Sequence, residues 1–433
     1  MAPQKARYTK ERLEMPALED NLALERFSSS DPEKDEDDGG KMRSVLPLFY
    51  DNDEELFAAA VKEEEAAAER QRREDAEKAR KAEEEKRRAE ERKRLKEEAA
   101  WRRKKHGEVY NSIRQYNPKT KCVEYTRFPF ADLSTFDLDE ISPVLPMRYT
   151  DKQIKDRAYL NSINVLSVKI VSSDKGFPLN VYGNIILRDN LEEKCIFLFS
   201  RPSRMDSELI NSEDQSLILT GPSRGLVLTD YIYIEVDLKM KLGQGKDKQL
   251  SIGLIDIDGR VAPRVPTTEV QCCTLESSLS TVEVRYALVK EATEATVEFQ
   301  VLKGDFKGKI TAHTTRIHDR MLLHDSRACG AVTSSDGRVI ELLRRVLAVC
   351  VDEVLFISAE PEGVDTLVKK FTPSLSGSQS DVFDWGAVKL GVKFRDVILL
   401  FTPLALLLLL ALSVSCLMAY HFSANKPPSR QYK

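Results

Sequence analysis

The uncharged apolar run from Val397 to Tyr420 constrains the fold of this chain more than any other stretch. It is rich in leucine, holds no charged residue, and is followed by only 13 residues. At a rise of ~1.5 Å per residue, about 24 helical residues extend ~36 Å, which is enough to cross a hydrocarbon core ~30 Å thick. The run also lacks the polar face that a core helix ordinarily carries. We therefore predict one transmembrane helix at residues 397–420, followed by a short polar tail at 421–433.

The cysteines and the N-terminal residues bear on the side of the membrane that the body occupies. The seven cysteines are odd in number and scattered, which is not the pattern of a disulfide framework. The first twenty residues contain no apolar core of the kind that a secretory signal needs. These features predict a single-pass membrane protein with a C-terminal anchor, an integral membrane partner, and an N-terminal body in the cytosol.

Charge is nearly balanced over the whole chain, with 66 basic and 70 acidic residues. No overall field therefore favours nucleic acid as a partner. Residues 1–53 mix charge with few core-forming side chains, above all in the acidic segment 28–41, and predict a disordered tail.

Residues 54–106 are dominated by Glu, Lys, Arg and Ala, and acid-then-base pairs recur four residues apart. This order stabilises an isolated helix by ~0.2–0.5 kcal/mol per pair. Leu95 is the one large apolar residue between Val61 and Trp101, whereas a coiled coil needs apolar residues throughout its a and d positions. The pattern favours a single solvated helix over a coiled coil, with a partly disordered charged linker as the alternative. The pairs are Glu69–Arg73, Glu74–Lys78, Glu77–Lys81, Glu83–Arg87, Glu84–Arg88, Glu90–Arg94 and Glu98–Arg102.

Residues 107–396 form the predicted body, and residues 108–160 are its irregular lead-in. Prolines at 118, 129, 143 and 146 exclude a long helix there. The lead-in also carries seven aromatic residues, which we interpret as side chains that dock on a neighbouring domain. A groove that binds a ligand is the alternative. The aromatic residues are Tyr110, Tyr116, Tyr125, Phe128, Phe130, Phe136 and Tyr149.

From Asn164 onward the hydrophobic period changes from helical to two. Apolar residues alternate with polar ones, most clearly over 232–242, and turn sequences separate the runs. Half-buried antiparallel strands leave this pattern, so the fold class predicted for the body is mainly β, an antiparallel β-sandwich of about ten strands. The predicted strands lie at 166–170, 181–187, 195–199, 232–242, 250–256, 281–289, 295–302, 309–315, 346–351, 354–358 and 387–396.

Four segments resemble an uncharacterised grass-plant family. They are 136–151, 167–201, 219–240 and 337–359, and their order extends the resemblance over roughly residues 108–397. The shared region of that family is a domain of unknown function, and some members are labelled jasmonate-induced-protein-like. The resemblance implies a β-rich domain and a plant source, and it supplies no catalytic residue. Some relatives are associated by name with ribosome-inactivating proteins, but no Glu-Ala-Ala-Arg type of active-site stretch is present here.

Two groups of residues resemble metal ligands. His313, His318 and His324 are five and six residues apart, spacings that fit neither a helical nor a strand zinc site. Asp319, Asp325 and Cys329 lie near them in the sequence. The Asp256–Gly259 segment resembles the start of a calcium loop but lacks the glutamate that closes an EF-hand. Four loop aspartates form an alternative calcium set if the loops converge: Asp174, Asp189, Asp230 and Asp258. We predict no metal site.

Catalytic signatures are missing from the sequence. Gly221–Gly225 lacks the Gly-Lys-Ser/Thr of a phosphate loop, and no Gly-x-Ser-x-Gly is present. Ser376–Ser380 is interpreted as a polar linker, and the adjacent Cys272 and Cys273 need no reactive role because neighbouring strand residues face opposite sides. We therefore predict no catalytic residue and no cofactor.

The function that follows is a non-enzymatic, membrane-anchored interaction module that contacts a protein partner through the charged helical arm or through a face of the sandwich. Two alternatives stay open. One is a lipid- or calcium-responsive domain at a membrane surface, and the other is an enzyme whose site is assembled from distant loops.

Overall fold

The computed structural model describes residues 4–5, 53–148, 159–243, 247–260, 268–332, 339–374 and 376–399. They belong to two units, one of residues 8–103 and the other of residues 1–7 and 104–433. Most of the predicted tail 1–53 and all of the predicted tail 421–433 lie outside the described residues. The second unit is built almost entirely of antiparallel β-strands.

The long helix α1 (Asp53–Ser112) contains the predicted charged segment. Its side chains between residues 57 and 105 are almost all exposed, as expected for a helix without an apolar face. Ion pairs four residues apart form along it. Four of the seven predicted pairs are among them, namely Glu69–Arg73, Glu77–Lys81, Glu84–Arg88 and Glu98–Arg102, and Lys93–Glu97 and Lys104–Glu108 pair in the reverse order.

Two sheets enclose the first hydrophobic core and form what we call the first sandwich. One sheet has the order β1-β10-β11-β4, and the other has the order β6-β5-β8-β9 with β7 beside β5. Alternate residues such as Val181, Ile185, Ile234 and Val236 fill this core and are at most 1% exposed. The strands are β1 (Gln4–Lys5), β4 (Ser162–Ser173), β5 (Leu179–Arg188), β6 (Ile196–Arg201), β7 (Glu208–Ile210), β8 (Tyr231–Met240), β9 (Lys248–Asp258), β10 (Val270–Glu276) and β11 (Ser280–Val289).

Two further sheets enclose a separate core and form the second sandwich. Their orders are β15-β12-β19-β18 and β14-β13-β16-β17. Five phenylalanines contribute the largest side chains to this core: Phe299, Phe306, Phe371, Phe383 and Phe394. The elements are β12 (Ala292–Lys303), β13 (Gly308–Thr314), β14 (Met321–Asp325), the short helix α2 (Ser326–Cys329), β15 (Val346–Cys350), β16 (Leu355–Pro361), β17 (Leu367–Phe371), β18 (Ser376–Asp384) and β19 (Lys389–Ile398).

The two sandwiches are joined through adjacent strands and a shared contact. Strand β11 of the first leads into β12 of the second across Lys290 and Glu291. Asn164 of β4 donates from Nδ2 to the carbonyl of Ala348 at 2.7 Å, and the Ala348 N–H donates to Asn164 Oδ1 at 2.9 Å. The sequence predicts one sandwich, because periodicity reports strands but not how they divide among cores.

The aromatic lead-in packs on the first sandwich. A hairpin of β2 (Arg114–Asn117) and β3 (Cys122–Tyr125) begins it. Phe128 is fully buried, with its ring centroid 5.0 Å from that of Tyr233 on β8. Phe136 lies 5.9 Å from Phe128 in the same cluster. The rings of Phe128 and Phe130 contact Tyr233 of β8, as the predicted docking role requires, whereas Tyr116 is exposed and Tyr149 lies outside the described residues.

The predicted transmembrane helix is wrong. Val397 and Ile398 end strand β19, and Val397 pairs with Glu294 of β12. The side chains of Val397, Ile398 and Leu399 are buried in the protein, so these three residues at the start of the run do not belong to a helix that faces lipid. No helix of the described chain is long and apolar enough to cross a membrane. Residues 400–433 lie outside the described residues.

Three predictions are corrected with that helix. The fold class is mainly antiparallel β with one long N-terminal helix. The predictions of an integral membrane partner and of a single-pass membrane location both depended on the helix at 397–420, and both are wrong.

Candidate anion-binding cleft

The three candidate histidines do not assemble around a common point. The His313 ring stacks on Phe356, with ring centroids 5.0 Å apart. His324 is buried, and its two ring nitrogens are hydrogen-bonded to Ser326 Oγ and to the carbonyl oxygen of Glu341. His324 thus has a structural role in the second sandwich.

The acidic neighbours of these histidines are also engaged elsewhere. Asp319 forms an ion pair with Arg285 at 3.1 Å, and Asp325 caps α2 by accepting from the backbone N–H of Arg327. Among the described residues, no group of three histidine, cysteine or acidic side chains is arranged to hold a metal ion.

Three of the four loop aspartates, Asp174, Asp189 and Asp258, are held by different basic residues, whereas Asp230 forms no ion pair among the described residues. Asp174 forms an ion pair with Lys119 at 3.0 Å. Asp189 is fully buried and accepts from Arg224 through both carboxylate oxygens, at 2.7 and 2.9 Å. The carboxylates of Asp174 and Asp189 are therefore paired with basic side chains of the protein itself. This pairing does not favour a calcium site shared by the loop aspartates.

Asp258, from the segment that resembles a calcium loop, is held by its neighbour. Arg260 lies 2.9 Å from it and also stacks over the Tyr231 ring. The hydrogen bond from Arg260 lowers the pKa of the Asp258 carboxyl. The turn therefore builds a local ion pair at the end of β8 and β9.

The other segments singled out in the sequence are structural. Gly221–Gly225 supplies Arg224 to the buried pair with Asp189. The polar Ser376–Ser380 segment is the start of edge strand β18. Burial raises the pKa of the thiols of Cys272 and Cys273, to about 11 and about 12, which opposes the thiolate form that a reactive cysteine needs.

A cavity of about 350 Å³ lies between the two sandwiches, and we call it the inter-sandwich cleft. Four basic and two acidic side chains line it together with several leucines. The first sandwich contributes Leu166, Ser167, Lys169, Asp214, Ser216, Leu217, Ile218, Leu219 and Arg285, and the second contributes Asp319, Arg320, Leu322 and Arg344.

Arg344 is the most unusual residue of the cleft. It precedes β15, and its side chain is only 3% exposed. Its Nη1 donates to the carbonyl oxygen of Val165 at 2.7 Å, while its Nε has no hydrogen-bond partner in the described chain. Burial alone lowers its pKa to about 10. The guanidinium is therefore charged at neutral pH, and it forms no ion pair with a carboxylate of the described residues.

The other buried arginines show what Arg344 lacks. Arg188 and Arg224 are fully buried. Arg188 binds Glu235 at 2.7 Å, and Arg224 binds Asp189. A buried charge is ordinarily paired because leaving it alone costs several kcal/mol. Arg344 departs from the pattern that this same protein follows elsewhere.

Ser167 adds a second unpaired polar group to the cleft. Its Oγ is buried and has no hydrogen-bond partner among the described residues. Ser167 lies on β4 directly opposite Arg285 of β11, and Lys169 follows two residues later on the same face of the strand. The alternation of one strand thus brings a hydroxyl and an ammonium group to the cleft.

The charges that line the cleft leave a positive excess. Arg285 is matched by its ion pair with Asp319. Lys169, Arg320 and Arg344 form no ion pair in the part of the chain that the structure describes, and Asp214, the remaining acid, is exposed. Three cations and an unpaired hydroxyl therefore face a cavity with one unmatched carboxylate.

A larger cavity of about 420 Å³ in the second sandwich lacks these features. Its lining includes four acidic and two basic side chains, and Lys309 and Asp325 face each other at 3.6 Å. None of the unpaired buried side-chain atoms in the described residues belongs to it. The inter-sandwich cleft is the better candidate for a binding site.

Sequence reasoning did not identify Arg344. The only signal is the Arg344–Arg345 pair just before an apolar strand, in which one arginine is buried and the next is exposed. Nothing in the sequence separates the two, because their burial depends on the contact between the sandwiches.

The comparisons with known proteins concern the same region. A family model described as a domain of unknown function (DUF6598) matches residues 162–394, a range that includes every residue of the cleft and both sandwiches except β1 and the end of β19. No curated protein matches the chain.

The solved structures that match include human GIVD cytosolic phospholipase A2 in complex with methyl gamma-linolenyl fluorophosphonate. The TM-score is 0.19 at 8% identity, over 56% of this chain and 33% of that one. A structure of the same phospholipase with the inhibitor and terbium chloride gives a TM-score of 0.19 at 8% identity, over 55% and 32%. The chain spans about a third of the length of these structures, and a likeness this weak carries no argument.

Proposed function

The chain belongs to the family of the domain of unknown function DUF6598, and from that premise we propose that it is a non-enzymatic binding module that holds an oxyanion in the inter-sandwich cleft. The observation that carries the proposal is the buried guanidinium of Arg344, which forms no ion pair with a carboxylate of the described residues and whose Nε has no partner among them. The plant source implied by the sequence resemblance is part of the proposal.

An oxyanion supplies what Arg344 lacks. Carboxylate and phosphate oxygens accept from two guanidinium nitrogens at once, and such charge-assisted bonds are roughly twice as strong as neutral ones. Ser167 Oγ would donate to the same ligand, and the positive charges of Lys169 and Arg320 would attract it. Binding would then compensate the buried charge of Arg344.

The chemistry of these groups supports binding over catalysis. A general acid or base works best with a pKa near the operating pH. The lowered pKa of Arg344, about 10, still keeps the group protonated at neutral pH. Arginine and lysine of this kind hold and orient an anion without exchanging protons with it. The charged helix α1 is proposed as an arm for a protein partner.

The test is the thermal stability of the whole chain with phosphate or sulfate, measured by differential scanning fluorimetry against sodium chloride of equal ionic strength. A ligand that binds only the folded state stabilises it by about 2.7 kcal/mol at a hundred times its Kd. We expect both anions to raise the Tm of the wild-type protein. Arg344→Met removes the charge at similar volume, and we expect it to reduce the rise in Tm to the general stabilising effect of these anions.

The matched control is Arg345→Met. Arg345 is the next residue, carries the same charge, and is exposed. Phosphate and sulfate also stabilise proteins generally by exclusion from their surface, and Arg345→Met retains that general effect together with the specific one. An equal rise in the Arg344→Met variant, or no rise in the wild type, would refute the proposal.

A further inference from the structure

The cleft is much larger than an inorganic oxyanion. A phosphate ion fills the space of about two or three waters, each ~30 Å³ in the liquid. The cleft has about 350 Å³, which lies within the ~300–1,000 Å³ of sites that hold organic ligands. An oxyanion at Arg344 therefore leaves most of the cleft free for the rest of a molecule.

The remaining wall of the cleft is apolar on both sides. Leu166 and Leu217 line it from the first sandwich, and Leu322 lines it from the second. Leu166 and Leu322 are only partly buried, so part of their surface stays available to a ligand. Covering such surface is favourable by ~25 cal/mol per Å².

We infer that the ligand is a small organic oxyanion, a phosphate monoester or a carboxylate, whose apolar part lies against these leucines. This inference rests on the proposed function, because it assumes that Arg344 holds the oxyanion. The polar group would supply orientation, and the apolar part would supply affinity, the usual division of roles in small-molecule sites.

The experiment is isothermal titration calorimetry of the whole chain with two ligand series, the n-alkyl phosphates and the n-alkyl carboxylates. Inorganic phosphate and acetate are their starting members, and all chains are kept short enough to avoid micelles. We expect the affinity to rise by up to about four-fold for each buried methylene until the cleft is filled, with at least one of the two headgroups. The headgroup that shows the rise identifies the oxyanion.

Two variants place the effect in the cleft. Leu322→Thr keeps a strand-favouring residue and reduces the apolar wall, so the rise per methylene falls while inorganic phosphate binds as before. Leu302→Thr is the control, since Leu302 is half-exposed on β12 and does not line the cleft. It leaves the whole series unchanged.

The outcomes separate the inference from the proposed function. If binding requires Arg344 but the affinity does not rise along either ligand series, the inference of an organic ligand is wrong. The proposed oxyanion site then still stands. A rise of equal size in Arg344→Met shows detergent-like uptake and also overturns the inference. No binding by any member, inorganic phosphate included, removes the proposed function itself.

Discussion

At the residue scale, the buried arginines of this protein divide by what faces them. Arg224 has Asp189 and Glu192 beside it, at 2.7 and 3.3 Å, whereas burial is the sole influence on the pKa of Arg344. Removing one member of a buried pair leaves the other charge uncompensated, which costs about 3–5 kcal/mol. Removing a charge that has no partner relieves a desolvation penalty. The two arginines should therefore respond differently to the same substitution.

We predict that Arg344→Met changes the free energy of unfolding of the ligand-free protein by less than about 2 kcal/mol. Loss of the hydrogen bond to the Val165 carbonyl costs about 1–3 kcal/mol, and relief of the buried charge offsets it. Arg224→Met is the comparison, with an expected loss of about 3–5 kcal/mol. Urea denaturation of both variants measures the difference. Equal losses would mean that Arg344 is a structural residue.

A second prediction at this scale concerns His313. Burial is the main cause that lowers its pKa below the ordinary value of 6.5, followed by the charges of Arg320 and His318. The unfolded chain therefore takes up this proton before the folded one, so stability is lost as the pH falls through about 6.5. His313→Gln removes that component. Urea denaturation from neutral to mildly acidic pH should show a shallower decline in the variant, and identical declines would contradict it.

At the element scale, helix α1 behaves as its charge pattern predicts. The ion pairs between Glu69 and Arg73 and between Glu98 and Arg102 form with N–O distances of 2.7 and 2.8 Å. Each exposed pair is worth only a few tenths of a kcal/mol, so the helix depends on the sum of many pairs and on alanine propensity. The preference for a single helix over a coiled coil stays a prediction.

We predict that a peptide of residues 54–105 is helical and monomeric. Because its ion pairs are exposed, salt screens them, and the helical circular dichroism signal should fall as sodium chloride is added. The signal should not depend on peptide concentration, since the segment lacks the apolar a and d positions of a coiled coil. Sedimentation equilibrium is the control for association. A helix that strengthens with concentration would favour the coiled coil.

The strands show where period-two reasoning works and where it fails. Each run predicted from alternation overlaps an observed strand. The run at 232–242, for example, corresponds to β8 (Tyr231–Met240). The predicted runs do not include β10, β14, β17 or the edge strand β18 (Ser376–Asp384), and the start of β18 was interpreted as a linker. Phe383 is its only buried residue, because an edge strand with one solvated face needs few apolar side chains. The alternation of apolar and polar residues reports a buried strand face. It therefore did not indicate β18, which buries one side chain.

At the scale of the whole molecule, the sequence predicts strands but not their neighbours. Val397 and Ile398 were assigned to a transmembrane helix because hydropathy does not distinguish residues buried in a protein core from residues that face lipid. In the structure, Val397 completes a strand beside Glu294. The cleft could not be predicted from the sequence either. Arg344 of the second sandwich comes close to Ser167 and Arg285 of the first only when the two sandwiches pack together. A candidate site assembled across such a contact leaves no local motif.

Asn164 tests that contact directly. Its amide replaces a strand partner for Ala348 by donating to the carbonyl and accepting from the N–H. In Asn164→Ala both backbone groups lose their partner, and each such loss costs about 1–3 kcal/mol. We predict that this variant weakens the coupling between the sandwiches. Differential scanning calorimetry should then resolve two thermal transitions where the wild-type protein shows one.

The matched control for this prediction is Asn117→Ala. Asn117 and Asn164 are both 7% exposed. The Asn117 amide donates to the carbonyl of Glu276, within the first sandwich and its hairpin. Its loss should lower the Tm without splitting the transition, because it breaks no contact between the sandwiches. If both variants keep one transition with the same decrease in Tm, Asn164 contributes only local stability. The sandwiches are then coupled through the short connection between β11 and β12.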